Sequence, residues 1–116
     1  MVEFAVTPWS LGDTDPSTGE VIGITAKSIA NQAAIADKLG FHSFWLPENH
    51  FADQRSIPSP LTLLAAAAAV SDQIKLGTTS YLITVRNPLQ AAEEVAVLDQ
   101  LCEGRLILGL GRGLQE

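Results

Sequence analysis

"GRLILGLGRG", residues 104–113, is the stretch on which the fold turns. A dinucleotide loop needs G-x-G-x-x-G in the first strand–helix turn, and a P-loop needs its lysine. Residues 109–113 read G-x-G-x-G, and no lysine is present. A phosphate-binding glycine loop also feeds a helix whose first amides help to hold the anion, and here only Leu114, Gln115 and Glu116 follow. The apolar run Leu106-Ile107-Leu108 instead predicts a strand over 105–111, whose glycines let other backbone approach its end. Arg112 then stands at the C-terminal end of a strand, where the active-site residues of an α/β barrel sit. Its planar fork suits a phosphate or a carboxylate.

Outward from that strand, the chain alternates β-type and helical runs. Gly104 ends a helix that Asn87-Pro88 opens, with Glu93 and Glu94 early in it, favourable for its dipole. "IKLGTTSYLI" (74–83) predicts a strand. Ser59-Pro60 repeats the cap-and-proline start and predicts a helix to about Val70, whose run of alanines allows close approach to a sheet. "FHSFWLP" (41–47) predicts a strand, and "ENHFADQRSIPS" (48–59) a loop. In "AKSIANQAAIADKL" (26–39), Ile29, Ala33, Ala36 and Leu39 recur at helical spacing, with Thr25 as N-cap and Gly40 as the terminating glycine. "SLGDTDPSTGEVIG" (10–23) reads as a turn-rich loop and "EFAVTPW" (3–9) as the first strand. The order is β-α-β-α-β-α-β. Strands begin roughly 30–37 residues apart, against about 31 per unit in a (β/α)8 barrel; a doubly wound sheet is the competing architecture.

Composition narrows the class. The 116 residues make one small domain, 47% hydrophobic and only 17% charged, below the ~25% usual for soluble domains. Mean hydropathy is +0.20. Such a chain implies surface that something else covers. A net charge of −6 argues against nucleic acid as a partner. The single cysteine, Cys102, excludes an internal disulfide and fits a reducing compartment. No signal peptide is visible, and the apolar run 63–70 is far short of the ~20 residues a membrane span requires. A cytoplasmic protein without a membrane partner is expected. His42, Glu48, His50 and Asp53 match no standard metal spacing, so no metal site is expected.

Two stretches carry candidate chemistry. In "WLPENHF" (45–51), Glu48 and His50 follow a strand end at once. A histidine there can move protons at neutral pH, or it is a loop histidine with an ordinary hydrogen bond. Glu48 reads as a solvated strand-end carboxylate, and His42, inside the strand, as structural. In "GTTSYL" (77–82), small hydroxyl residues leave room for a flat ring and can reach its polar edge; the alternative is plain strand propensity.

Together these stretches resemble one family. "GFHSFWLPENHF" and "SPLTLLAAAAAVSDQIKLGTTSYLITVRNPLQAAEEVAVLDQLCEGRLILGLGRG" are similar, motif after motif in the same order, to the N-terminal half of bacterial-luciferase-like flavin-dependent monooxygenases. The likeness runs from about Val2 to Leu114. It implies a partial (β/α)8 barrel, a half-barrel with four parallel strands, in which residues 1–116 are the truncated N-terminal half of the family domain. It implies reduced FMN and O2 acting on an unknown organic substrate; the alternatives are a dehydrogenase using the deazaflavin coenzyme F420, or a non-catalytic half-barrel that self-associates or sequesters flavin. By the same resemblance His50 is catalytic, Arg112 lies on the flavin phosphate, and Thr79 and Ser80 lie beside the flavin ring at a non-proline cis peptide. Gly111 matches the position of a reactive cysteine in luciferase itself. Where the family loop has two histidines, this chain has Asn49 before His50, so a role belonging to the first histidine does not carry over.

Four parallel strands with three helices cover one sheet face only, whereas parallel sheets bury both. The open face is expected to carry residues such as Phe44, Leu46 and Leu108 or their neighbours, beside two unpaired edges. The expected partner is a second copy, giving a homodimer, or the missing C-terminal half of the barrel.

Overall fold

Helix-stopping chemistry sets the frame of this protein. A computed structural model describes residues 1–8, 13–23, 26–52 and 56–113. Its elements run β1 (Ala5–Val6), β2 (Asp13–Thr14), β3 (Val21–Gly23), α1 (Ala26–Lys38), β4 (Ser43–Leu46), α2 (Pro60–Ala68), β5 (Lys75–Thr78), β6 (Tyr81–Leu82), a 3-10 turn (Ile83–Val85), α3 (Pro88–Leu101), β7 (Leu106–Ile107) and β8 (Leu110–Gly111). Gly40 and Gly104 take positive φ, 78° and 77°, just past the ends of α1 and α3, conformations that only glycine adopts without strain. Asn87 caps α3, its side-chain oxygen accepting from the N–H groups of Leu89 (2.9 Å) and Gln90 (3.3 Å). Ser59 does not cap α2; its hydroxyl pairs with that of Thr62 at 2.8 Å. The expected cap Thr25, like Trp9 and Asp53, lies outside the described residues.

Strands β1, β4, β5 and β7 form a parallel sheet in the order β1-β4-β5-β7, so the chain is a half-barrel of four parallel strands with its helices on one side. Three expectations need correction. The stretch 10–23 is more than a loop: β2 and β3 pair antiparallel around a turn in which Asp15 accepts from the Ser17 and Thr18 N–H groups. The strands predicted over 74–83 and 105–111 are each broken. After Thr78 and after Ile107 the chain leaves the sheet, and β6 pairs with β8 in a separate parallel ladder. The third correction concerns the open face. Phe44, level with Val6, Leu76 and Leu106, is fully buried on the helix side with Leu46, Ile29 and Leu64, and Leu108 packs against the same core. The other face carries the next residues along, Trp45 level with Gly77 and Ile107. Side-chain alternation along a strand makes the two faces exclusive.

Ladder ends are pinned by side chains. At the N-terminal end of β5, the Asp37 carboxylate accepts from the N–H groups of Asp72 (2.7 Å), Gln73 (3.1 Å) and Ile74 (2.7 Å). Arg105 donates to the carbonyls of Ile74, Ser71 and Cys102 at 2.8–2.9 Å. At the C-terminal end, the Thr78 hydroxyl donates to the Gly109 carbonyl (3.0 Å) and accepts from its N–H (3.1 Å). Gly109 has to lack a side chain, because a Cβ there would overlap the Thr78 carbonyl oxygen. Neighbouring backbone cannot yield as a side chain does, so Gly109→Ala is expected to destabilise the fold by about 3 kcal/mol, the upper end of overpacking costs. Urea unfolding checks this: a lower midpoint at unchanged slope is the expected outcome.

Candidate functional site

Where β4, β6 and β8 end, their connections enclose an open cleft of about 880 Å³, within the range of small-molecule sites. His50, Phe51, Ser80, Gly111 and Arg112 line it, with Glu48 and Asn49 at its base. The strand breaks create this space. The Thr79–Ser80 peptide is cis, at the position the resemblance gave. Beyond it Ser80 faces the cleft, while Thr79 is exposed, outside the lining, its N–H bonded to the Leu46 carbonyl at 2.8 Å. Gly111 lies directly against Ser80: a Cβ at 111 would stand 2.7 Å from the serine Cβ. Arg112 is exposed at the rim. Its carbonyl accepts from the Thr84 hydroxyl at 2.7 Å, and among the described residues its guanidinium has no hydrogen bond or ion pair.

Glu48 overturns its sequence reading. Its side chain is fully buried. One oxygen, Oε1, accepts from Arg86 Nη1 at 2.7 Å and meets His50 Nε2 at 2.7 Å; the other accepts from the Leu82 N–H at 2.9 Å. Arg86 also donates to the Leu82 carbonyl at 2.8 Å and stacks 4.0 Å above the Tyr81 ring. Sequence reasoning missed Arg86 altogether: it lies 38 residues from Glu48, and only the adjacency of barrel loops brings them together. Asn49 closes the loop, its Oδ1 accepting from the Ile57 N–H at 2.6 Å and its N–H donating to the Ile57 carbonyl. Phe51, at φ 56°, is fully exposed beside His50. His42 is remote from the cleft, at the start of β4, paired with Ser43 and Glu3. Among the described residues no metal-binding cluster forms, and no helix is long and apolar enough to cross a membrane.

The donor set suits an anion joined to a flat polar ring: a free guanidinium at the rim, a hydroxyl and an imidazole along the wall. Residues 3–116 match the family model of luciferase-like monooxygenases. The chain belongs to that family. It is 40% identical over 89 residues to the alkanal monooxygenase beta chain of Photorhabdus luminescens, covering 74% of this chain and 28% of that protein. It superposes with a TM-score of 0.81 on the oxygenating constituent of 3,6-diketocamphane monooxygenase from Pseudomonas putida in complex with FMN, at 26% identity, covering 99% of this chain and 30% of that one. Against the coenzyme F420-dependent tetrahydromethanopterin reductase of Methanopyrus kandleri the TM-score is 0.68 at 26% identity, covering 96% and 26%. The chain thus spans about a third or less of these luciferase-like relatives.

Tyr81, the sole tyrosine of the sequence, forms the floor under Arg86. It is buried, and its hydroxyl makes no close hydrogen bond among the described residues, although the Glu94 carboxylate acts on it as a more distant acceptor. Burial pushes its phenol pKa up; Arg86 opposes this, and Glu94 and Glu48 add to it. The folded value is therefore above the unfolded one, and Tyr81 contributes stability that is fully present below the unfolded pKa of about 10 and lost as pH rises through the folded value. Tyr81→Phe is expected to remove this alkaline loss. At neutral pH it should leave stability unchanged or raise it by up to ~2 kcal/mol, since an unpaired buried hydroxyl is costly. Thermal melts at neutral and alkaline pH, with ultraviolet titration of the lone phenol, check both points. A loss above ~1 kcal/mol at neutral pH would mean that the hydroxyl is paired.

Proposed function

We propose that this chain provides one side of a flavin site in a flavin-dependent monooxygenase, where reduced FMN and O2 act on a small organic substrate. The observation that carries the reading is the convergence of His50, Ser80 and the unpaired Arg112 guanidinium on one cleft beyond the C-terminal ends of parallel strands, where barrel enzymes keep their chemistry. The flavin, when bound, supplies oxygen activation; the protein binds it, orients it and excludes water. Arg112 would hold the phosphate. The Thr79–Ser80 segment would support the ring, with Gly111 allowing β8 to close against Ser80. His50 would hydrogen-bond at the reactive edge of the ring or to the substrate. Likeness to an F420-dependent reductase favours a second reading, hydride transfer with coenzyme F420 and no O2; turnover measured with each cofactor, with and without oxygen, separates the two.

Flavin titration tests the site. Arg112→Ala should weaken FMN binding by about 1.5–3 kcal/mol, the scale of a charge-assisted hydrogen bond, and leave riboflavin, which lacks the phosphate, nearly unaffected. Equal losses for the two ligands would remove the phosphate role. On the same samples His50→Ala should reduce turnover more than flavin affinity, and unchanged rates would make His50 an ordinary loop residue.

The same reading gives the open sheet face a cover. Trp45, Gly77 and Ile107 face away from the helices, and β1 and β7 are the edges of the described sheet. A second copy, or further barrel strands, would complete the interior. Light scattering over a dilution series of the 116-residue chain should show association, a two-fold dimer being the simplest closed form. A cooperatively folded monomer at micromolar concentration would show that no cover is needed.

A further inference from the structure

We propose that Glu48, held by Arg86, is the positioning residue that fixes the tautomer of His50, so that the neutral imidazole offers a bare Nδ1 acceptor to the cleft. The inference rests on the cleft being the working site of His50, and it adds the chemistry of what that histidine meets. Glu48 Oε1 already accepts from the Arg86 guanidinium and Oε2 from the Leu82 N–H. Neither donor can accept a proton in return, and the guanidinium stays charged throughout the working pH range. The hydrogen in the 2.7 Å contact between Oε1 and His50 Nε2 therefore lies on the imidazole. A neutral imidazole carries one N–H and one bare nitrogen, so the bare one is Nδ1. Among the described residues Nδ1 has no hydrogen-bond partner, and the His50 side chain, 32% exposed, lines the cleft.

Two consequences follow for chemistry. Whatever occupies the cleft beside His50 has to bring an N–H or O–H group, because a carbonyl or a carboxylate would meet a lone pair. Neutral His50 can also accept a proton there through Nδ1 while Nε2 stays hydrogen-bonded to the Glu48 carboxylate. Arg86 acts one step removed. It keeps Glu48 from being an unpaired buried charge, and through the Leu82 carbonyl it ties the carboxylate to β6.

Nuclear magnetic resonance of the chain carrying 15N-labelled histidine tests this without any ligand, so the result is independent of whether FMN binds. Long-range proton–nitrogen correlation at mildly alkaline pH distinguishes bare from protonated ring nitrogens, and loss of one signal set in His50→Gln assigns His50 against His42. The expected result is a protonated Nε2 whose hydrogen is slow enough in exchange to give a resolved signal, beside a bare Nδ1. In Glu48→Ala that hydrogen should exchange at least tenfold faster, and the tautomers should mix. A proton on Nδ1 in the wild-type chain, or Nε2–H exchange as fast as in free imidazole, overturns the proposal, and these two outcomes can be read even if Glu48→Ala does not fold. Folded Glu48→Ala with an unchanged His50 pattern also overturns it, leaving Glu48 as an anchor for Leu82 and Arg86 alone.

Discussion

A carboxylate shut away from water must be answered by donors, or the fold that buries it loses several kcal/mol. Glu48 is such a group, and the segments around the cleft are arranged to answer it. The loop after β4 delivers it, β6 offers the Leu82 N–H, and the end of the 3-10 turn delivers Arg86. Removing either charge alone would strand the other, so the two residues fix each other and the segments that carry them. The guanidinium is held from its other side by the face of Tyr81, a contact attractive in its own right. A wall of the cleft is thus set by one electrostatic requirement rather than by regular secondary structure.

The adjoining part of the cleft depends on close backbone approach. Thr78 and Gly109 exchange two hydrogen bonds at the point where the sheet stops, and the chain then swings aside into the β6–β8 ladder. Gly111 brings β8 against Ser80. The same glycines that imitate a phosphate loop in sequence are therefore packing devices in the structure, and the anion-seeking group among them is Arg112. Asp37 and Arg105 do the corresponding work at the far end, capping the loop before β5 from both sides. With both ends of the central strands clamped, the residues between are held in register and the cleft inherits that rigidity.

Local chemistry was legible in the sequence and long-range chemistry was not. The bounds of α1, α2 and α3 were predicted to within a residue or two, because the signals used, the first-turn prolines of α2 and α3, the Asn87 cap and the terminating glycines of α1 and α3, act within one helical turn. Parallel strands followed from the alternation of elements; the half-barrel, which alternation left open against a doubly wound sheet, and family membership followed from motifs occurring in sequence. The strand breaks after Thr78 and Ile107 were not read from runs dominated by β-forming residues, although Gly77, Gly109 and Gly111 stand in them. Which face of β4 meets the helices was left open between Phe44 and Leu46 and their neighbours, because "FHSFWL" is apolar on both faces and period-two alternation cannot choose between them. Glu48 read as solvated because nothing within reach of a local pattern announces Arg86, a partner 38 positions away.

Asn49, beside His50 in the loop after β4, offers the cleft no proton transfer: its side chain does not titrate, and its carbonyl is committed to the Ile57 N–H. It acts as a loop fastener. Glu48 is compensated, and apart from Arg112 and His50 the other described residues lining the cleft have no ionisable side chain. The described lining then keeps unused capacity at the Arg112 guanidinium, at one nitrogen of His50 and at the Ser80 hydroxyl. The first is a fixed positive charge and suits holding rather than reacting. Proton movement by a side chain in this cleft therefore falls to one imidazole, and the orientation of that imidazole is set by the buried carboxylate behind it.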